Sequence, residues 1–295
     1  MCLKFIFKKM LVVKIIGGIG NQMFQYAFVK ALQKRNPNQK FFLDISNFSY
    51  KELSERKYEL DCFGINEAIA DQKLVQNFQP AIGKVEKLKR FFSFQKYLIN
   101  SDESNYFKAD LLKTYSENTY FEGYWQSEKY FLDIETEIRQ IFTVKKALNT
   151  QTKPFLDQIR ACDSVSLHVR RGDYVQNPIF NQVHGLCSLE YYQKAVDLIS
   201  QKLEKPVFFV FSDDIFWCKK HLKFDVEIVF VAGNFLNYED LSLMSACKHQ
   251  IIANSSFSWW GAWLNNFAEK IIIAPKKWFV EKEIKDLIPQ HWIRL

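Results

Sequence analysis

Two adjacent arginines, Arg170 and Arg171, carry the clearest chemical signal in this sequence of 295 residues. They follow residues 165–169, a short apolar run that predicts a buried strand. Guanidinium groups at the end of such a strand are costly unless they face anions. One interpretation is a phosphate held through two parallel hydrogen bonds, and the other is an ion pair with Asp173. Because side chains alternate along a strand, Arg170 shares a side with His168, so Arg170 is the phosphate-facing candidate and Arg171 the structural one.

A glycine-rich turn is the second candidate. Residues 11–16 are apolar and β-branched, and the segment GGIGNQ, residues 17–22, follows them. Glycines let a ligand approach the backbone closely, and the helix that begins there offers free N–H groups and a positive dipole end. The spacing is neither a dinucleotide fingerprint nor a P-loop, so a plain tight turn remains open. Asn21 is either a ligand to substrate or the N-cap of the helix.

Acidic residues follow a third predicted strand, residues 207–211. Asp213 and Asp214 stand directly after Ser212. Carboxylates at this position can bind a guanine edge, a ribose hydroxyl or a metal ion, or they can cap the next helix.

Hydroxyl side chains follow a fourth predicted strand, residues 250–253. The segment NSS, residues 254–256, begins a helix and can cradle a phosphate or form an ordinary N-cap. Trp259 and Trp263 lie four residues apart on one face of that helix. They can stack on a sugar or pack inside the protein.

Several familiar catalytic patterns are absent from the sequence. It has no strict Asp-x-Asp pair, no HExxH, no GxSxG and no cysteine–histidine cluster. A reaction that develops charge on a diphosphate here must then be stabilised by arginine, hydroxyl groups and helix dipoles. We therefore expect neither a metal nor a cofactor.

Strands that alternate with helices must position these groups. Strands are predicted at residues 11–16, 40–45, 119–122, 165–169, 207–211, 228–231, 250–253 and 270–274. Helices are predicted at residues 21–35, 127–142, 188–203, 215–222, 237–247 and 255–265. Residues 46–116 show no clear order. The alternation predicts parallel sheets with ligands beyond the carboxyl ends of the strands. A polar segment, residues 144–154, suggests two domains, residues 1–149 and 150–295.

The composition is that of a globular protein, with 48% hydrophobic and 25% charged residues. The formal charge of +7 suits an anionic small ligand, but no nucleic-acid motif occurs, so we expect no nucleic-acid partner. Six scattered cysteines favour reduced thiols in a cytoplasmic protein. No apolar stretch is long enough to span a membrane. The basic and apolar first ten residues offer a weak peripheral contact with the inner face of the cytoplasmic membrane.

Three blocks together resemble a known family. GGIGNQMFQYA (residues 17–27), HVRRGDY (168–174) and NSSFSWW (254–260) are similar to the signature blocks of the bacterial α-1,2-fucosyltransferases of glycosyltransferase family 11. The resemblance implies an α/β, GT-B-like fold with two Rossmann-like domains facing a donor-binding cleft. It implies GDP-β-L-fucose as donor, a galactose-terminated glycan as acceptor, inversion to an α-fucoside, and no metal.

The resemblance also assigns roles. Arg170 would contact the β-phosphate, Ser255 and Ser256 the diphosphate, and the Asp213–Asp214 pair the nucleoside. The block around Asn21 would face the fucose and acceptor side, so residues 1–149 would form the acceptor-side domain and residues 150–295 the domain that binds the GDP-sugar. Asp173, three residues from Arg170, is our candidate base, with orientation of an arginine as its competing role, and His168 is the third catalytic candidate. The predicted donor-binding residues are Gly18, Gly20, Asn21, Gln22, Arg171, Asp213, Asp214, Asn254, Ser255 and Ser256. The weaker acceptor-side candidates are Asp44, Glu122, Tyr174 and Trp259, of which Asp44 and Glu122 are alternative bases.

Overall fold

The computed structural model describes residues 9–49, 56–78, 97–102, 106–233, 235–282 and 285–295. Within these ranges, the side chains of residues 97–102, 173, 179 and 180 are not described. The chain forms two compact units, Met1–Ile141 and Phe142–Leu295. The polar segment at residues 144–154, where the sequence suggested a boundary, falls in the second unit. Its backbone is tied there because the N–H of Asn149 and the hydroxyl of Thr152 both donate to Glu239.

The first unit is built on a parallel sheet of four strands in the order β2-β1-β4-β3. The strands are β1 (Met10–Lys14), β2 (Lys40–Asp44), β3 (Tyr97–Asp102) and β4 (Asn118–Gly123). The helices are α1 (Ile19–Arg35), α2 (Gln72–Gln76) and α3 (Glu135–Ile141). Buried aromatic rings hold α1 in place, since Phe28 stacks on Trp125 with ring centroids 4.3 Å apart and meets Phe121 and Tyr130 edge-on.

The second unit is built on a parallel sheet of six strands in the order β10-β9-β8-β5-β6-β7. The strands are β5 (Asp163–Val169), β6 (Pro206–Ser212), β7 (Glu227–Phe230), β8 (His249–Ile251), β9 (Ile272–Ala274) and β10 (Ile293–Arg294). The helices are α4 (Thr152–Arg160), α5 (Gly172–Gln176), α6 (Pro178–His184), α7 (Leu189–Ser200), α8 (Ile215–His221), α9 (Asn237–Ala246) and α10 (Ser256–Leu264). Apolar residues cover both faces of the sheet, as a parallel sheet requires.

Every strand predicted from the sequence is present, with small shifts at the strand ends. The predicted helix over residues 127–142 was wrong in part. Ser127 caps only a short 3-10 turn, and the α-helix begins at Glu135. Asn237 is not the cap of α9, because Leu236 occupies that position and its N–H donates to Glu239. Strands β3 and β10 and helices α2, α4, α5 and α6 were not predicted.

None of the helices among the described residues combines the length and apolarity that crossing a bilayer requires. Of the first ten residues, which carry the expected membrane contact, residues 1–8 lie outside the described residues.

Candidate active site

Arg170 is held by a carboxylate from the neighbouring strand. Arg170 follows β5 and Asp213 follows β6. Because these two strands pair in parallel, both residues lie at the same edge of the sheet. Arg170 Nη1 lies 2.9 Å from Asp213 Oδ2, and the backbone N–H of Arg171 donates to the other carboxylate oxygen at 2.8 Å. The Arg170 side chain is 19% exposed and the Asp213 side chain 26% exposed. Asp213 therefore fixes both the guanidinium of Arg170 and the backbone beside it.

Arg171 has its own partners. Its Nε donates to Asp214 Oδ2 at 3.2 Å, and its guanidinium lies 3.9 Å from the ring centroid of Trp217. Asp214 also caps α8 by accepting from the N–H of Trp217. The described partner of Arg171 is thus Asp214, where the sequence suggested Asp173. The carboxylates of the Asp213–Asp214 pair are engaged by two arginines and a helix cap.

Gly172 leaves room for this arrangement. A Cβ atom at Gly172 would lie 2.6 Å from Asp213 Oδ2 and 3.0 Å from its Cγ. These separations are well inside van der Waals contact, so the clamp on Arg170 requires a residue without a side chain here.

Tyr174 links the arginine loop to the segment after β8. Its hydroxyl donates to the carbonyl of Asn254 at 3.2 Å, its ring stacks on His184, and Arg170 lies 5.5 Å from its ring centroid. Asn254 is buried, and its amide donates to the carbonyls of His184, Gly185 and Trp278. The amide of Asn254, a residue predicted to bind the donor, therefore holds loops of the protein together.

Ser255 and Ser256 stand at the start of α10. Ser255 occupies the N-cap position, but its side chain makes no cap hydrogen bond. The ordinary cap box considered from the sequence is therefore absent. The first-turn N–H groups of a helix have no partner within the helix and carry the positive end of its dipole. A hydroxyl not used as a cap beside them suits an anion.

His168 is buried inside the unit. Burial lowers the pKa of His168 to about 4, with Asp213 opposing this shift and Arg170 adding to it. Among the described residues its Nδ1 has no hydrogen-bond partner. The imidazole is therefore neutral near pH 7 and cannot supply positive charge to a leaving group. Asp173 lies in α5, but its side chain lies outside the described residues.

Trp259, predicted on the acceptor side, lies inside the second unit. Its ring is fully buried, stacks on Trp263 and donates through Nε1 to the carbonyl of Leu287. A side chain so enclosed packs the second unit and cannot touch a glycan.

The glycine turn of the first unit is held by amides. Gly17 has φ of +79°, and a Cβ there would lie 2.7 Å from Asn21 Nδ2. Gln22 is fully buried, donates to the carbonyls of Gly17 and Lys57, and accepts from the N–H of Glu59. The Gln22 side chain, predicted to bind the donor, therefore ties the glycine turn to residues 57–59. Gly18 is the N-cap of α1, and Gly20 lies buried in its first turn.

Asn21 faces a different group. It lies inside α1, so it is not the N-cap that the sequence left open. Its Oδ1 accepts a hydrogen bond from Gln126 Nε2 at 2.8 Å, and Gln126 lies in the loop after β4.

The two other carboxylates of the first unit are already engaged. Asp44 is buried and accepts from the Tyr120 hydroxyl at 2.6 Å and the N–H of Ser46. Burial and this hydrogen bond raise the pKa of Tyr120 far above its usual range. Glu122 pairs with Lys14 at 2.5 Å and stays partly exposed.

Sequence reasoning missed Gln126, Trp217 and Asp240. Asp240 lies in the first turn of α9, after β7, where burial beside Glu239 raises its pKa to about 7. A carboxyl group so shifted is a candidate for binding or proton chemistry. Gln126 and Trp217 are revealed only by contacts between distant segments. Among the described residues, no group of three or more His, Cys, Asp and Glu side chains is arranged to hold a metal.

Two α/β units, each built on a parallel sheet, define a GT-B-like fold, and arginines, carboxylates and a helix start lie at the carboxyl edge of the second sheet. The fold is shared with a mutant of Arabidopsis thaliana FUT1 solved in complex with GDP, at a TM-score of 0.50 over 90% of this chain and 70% of that one. At 11% identity this likeness concerns the fold alone. Residues 3–295 match the family model Glycosyl transferase family 11, and the chain belongs to that family.

Two relatives from Escherichia coli align along nearly their whole length. An alpha-1,2-colitosyltransferase is 37% identical over 96% of this chain and 98% of its own. The O-antigen biosynthesis glycosyltransferase WbnK is 31% identical over 95% of this chain and 98% of its own. The Mus musculus galactoside 2-alpha-L-fucosyltransferase Sec1 is 32% identical over 49% of this chain and 41% of its own.

Proposed function

We propose that this protein transfers L-fucose from GDP-β-L-fucose to the 2-hydroxyl of a terminal galactoside, with inversion and without a metal ion. The observation that carries the proposal is the clamp of Arg170 and Asp213 at the carboxyl edge of the second sheet. The relatives named for α-1,2 transfer and for galactosides support the linkage and acceptor. The relative named for O-antigen biosynthesis supports a surface polysaccharide as the acceptor.

Arg170 is suited to the leaving group. Displacement at C1 of the sugar develops charge on the β-phosphate of GDP, and a guanidinium already fixed by Asp213 needs no reorganisation to meet it. The start of α10, with the hydroxyls of Ser255 and Ser256, would hold the rest of the diphosphate. Arg171 acts indirectly, since Asp214 and Trp217 hold it.

Asp173 is our proposed general base. The acceptor hydroxyl loses its proton as the bond to C1 forms, and a positioned base contributes roughly 10²–10⁴ in rate. Asp44 is a poorer candidate because its carboxylate is buried and already accepts two hydrogen bonds. An Asp173→Asn variant should bind GDP normally yet transfer nothing. Loss of GDP binding in that variant would point to a structural role instead.

The decisive experiment is release of GDP from GDP-fucose, with and without lactose, in excess EDTA. We expect release that depends on lactose and survives EDTA, with product NMR showing the α-1,2 linkage. Arg170→Ala should lose roughly 10²–10³ in turnover, while the same substitution at exposed Arg160 should not. Wild-type turnover in Arg170→Ala would remove this residue from the mechanism. Loss of activity in EDTA, restored by a divalent ion, would refute the metal-free reaction.

The donor sugar needs its own comparison, because one relative is named for colitose. Colitose is fucose without the 3-hydroxyl group. A site that hydrogen-bonds this hydroxyl rejects the analogue by roughly 10⁴–10⁵, whereas a site that ignores it discriminates by about 10² or less. The ratio of kcat/KM for GDP-fucose and GDP-colitose therefore decides the donor. A ratio in favour of colitose would overturn fucose and leave the transfer itself intact.

A further inference from the structure

The loop after β4 carries an unusual conformation. Trp125 has φ of +46°, and among the described residues it is the one non-glycine residue with positive φ. This left-handed region is strained for a bulky aromatic side chain. The indole is nevertheless buried and stacked on Phe28, and among the described residues its Nε1 has no hydrogen-bond partner.

The strain has a local consequence. Because the side chain of Trp125 is fixed in the core, its left-handed backbone determines where the side chains of Tyr124 and Gln126 lie. Tyr124 is 40% exposed, and Gln126 donates through Nε2 to Asn21 Oδ1 at 2.8 Å. The turn closes at once, since the N–H of Ser127 donates to the carbonyl of Trp125 at 2.8 Å. Strained backbone maintained by surrounding packing is most often found at binding sites.

The same edge of the sheet gathers groups that recognise hydroxyls. Asn21 lies near the end of β1, and Gln126 follows the end of β4, the strand paired with β1. The partly exposed Lys14–Glu122 pair joins the ends of β1 and β4 at the same edge. Amides, which donate and accept in fixed directions, and a carboxylate, which accepts, suit a polyhydroxyl ligand, and a half-exposed tyrosine ring suits the apolar face of a sugar.

We propose that Asn21, Tyr124 and Gln126 form the subsite for the acceptor galactoside, with Gln126 as the positioning residue for Asn21. This inference rests on the proposed function. Gln126 fixes the Asn21 amide so that its Nδ2, which lies beside Gly17, can donate to a sugar hydroxyl. Tyr124 supplies the ring on which the galactose stacks.

The chain offers a matched control for Gln126. Gln39 also makes one side-chain hydrogen bond, from Nε2 to the carbonyl of Tyr115 at 3.0 Å. It precedes β2 and so stands at the opposite, amino edge of the same sheet. Gln126→Leu and Gln39→Leu remove the same kind of bond by the same substitution. They differ in the edge that is altered.

The test separates acceptor from donor kinetics. We expect Gln126→Leu to raise the KM for lactose about tenfold, the effect of one lost hydrogen bond. The KM for the donor and the slow release of GDP without acceptor should stay within about twofold of wild type. Gln39→Leu should leave all three unchanged, with a Tm close to that of Gln126→Leu. Tyr124→Ala should raise the lactose KM, and Tyr124→Phe should restore it because the ring is retained.

Calorimetric binding of lactose in the presence of GDP decides the inference without turnover. Wild-type binding that weakens in Gln126→Leu and Tyr124→Ala but not in Gln39→Leu would support it, even if no transfer occurs and the proposed function fails. The inference is overturned if lactose does not bind wild type, or binds both variants as tightly as wild type. A rise in donor KM alone would also overturn it, because the edge would then serve the donor.

Discussion

Gly172→Ala should disable the active site without removing any functional side chain. The added Cβ would lie 2.6 Å from Asp213 Oδ2. An ordinary carbon–oxygen contact needs roughly 3.3 Å, so the carboxylate must move by about 0.7 Å. Its oxygen now lies 2.9 Å from Arg170 Nη1, and the shift would stretch that contact to about 3.6 Å, where no hydrogen bond remains.

The magnitude follows from the bond that is lost. A hydrogen bond between charged groups contributes roughly 1.5–3 kcal/mol. If all of it orients Arg170 in the transition state, kcat/KM for the donor should fall about tenfold to a hundredfold. The same loss should lower the Tm by about 3–12 °C, at roughly 2–4 °C per kcal/mol, and leave the protein folded. Val175→Ala, in the same short helix, is the control for helix perturbation and should keep full activity.

A double-mutant cycle isolates the cause. Asp213→Ala removes the atoms that clash and leaves a Cβ 3.5 Å from the one added at Gly172, an ordinary contact. If Gly172→Ala acts through Asp213, it should cost almost nothing in the Asp213→Ala background. Equal losses in both backgrounds would refute the clamp, and so would wild-type kinetics in a folded Gly172→Ala protein.

Three further results are expected. Gly17→Ala should lower the Tm by several degrees, because Gly17 has φ of +79° and its Cβ would strike Asn21. Among the described residues a Cβ at Gly18 meets only Arg56 Nη1 at 3.9 Å, so Gly18→Ala should keep the Tm, and equal melting of the two variants would contradict this. Burial lowers the pKa of His168 from 6.5 to about 4, so the unfolded chain binds more protons than the folded one between these pH values. Denaturant titration should therefore show that wild type loses more stability than His168→Gln as the pH falls from 6.5 to 4. Burial raises the pKa of Asp240 from 3.8 to about 7, so its ionisation costs stability as the pH rises through 7. Asp240→Asn should therefore raise the Tm at about pH 8.5 but not at about pH 4. An unchanged Tm at about pH 8.5 would argue against a buried carboxyl group.

Local patterns predicted the fold well where each segment had one periodicity. The runs before Arg170 and before Asp213 are strands as predicted, and Ser188 was correctly predicted as the cap of α7, where it accepts from the N–H of Tyr191. The sequence failed at residues 127–142, where 3-10 turns interrupt the helical spacing. It also failed at β10, a strand of two residues that exists only because it pairs with β9. Such elements are stabilised by distant partners, which no local pattern contains.

The same limit applies to the candidate site. A glycine, amide or hydroxyl in a signature block can touch the substrate or hold the backbone that does. Gln22 and Asn254 turned out to be of the second kind, since each is buried and donates its hydrogen bonds to carbonyl groups of the protein.

The hydrogen bonds that each side chain already makes separate these two kinds. Both N–H groups of the Gln22 amide are taken, and the amide of Asn254 donates only to the protein. The Ser255 hydroxyl caps nothing, and the Asn21 amide is aligned by a neighbour outside its own block. Arg170 combines both roles. It bonds a carboxylate of the protein, and that contact orients the guanidinium so that its other N–H groups can donate to a phosphate. A signature block therefore marks the place of a site, and the hydrogen bonds around each side chain decide which of its residues can bind substrate.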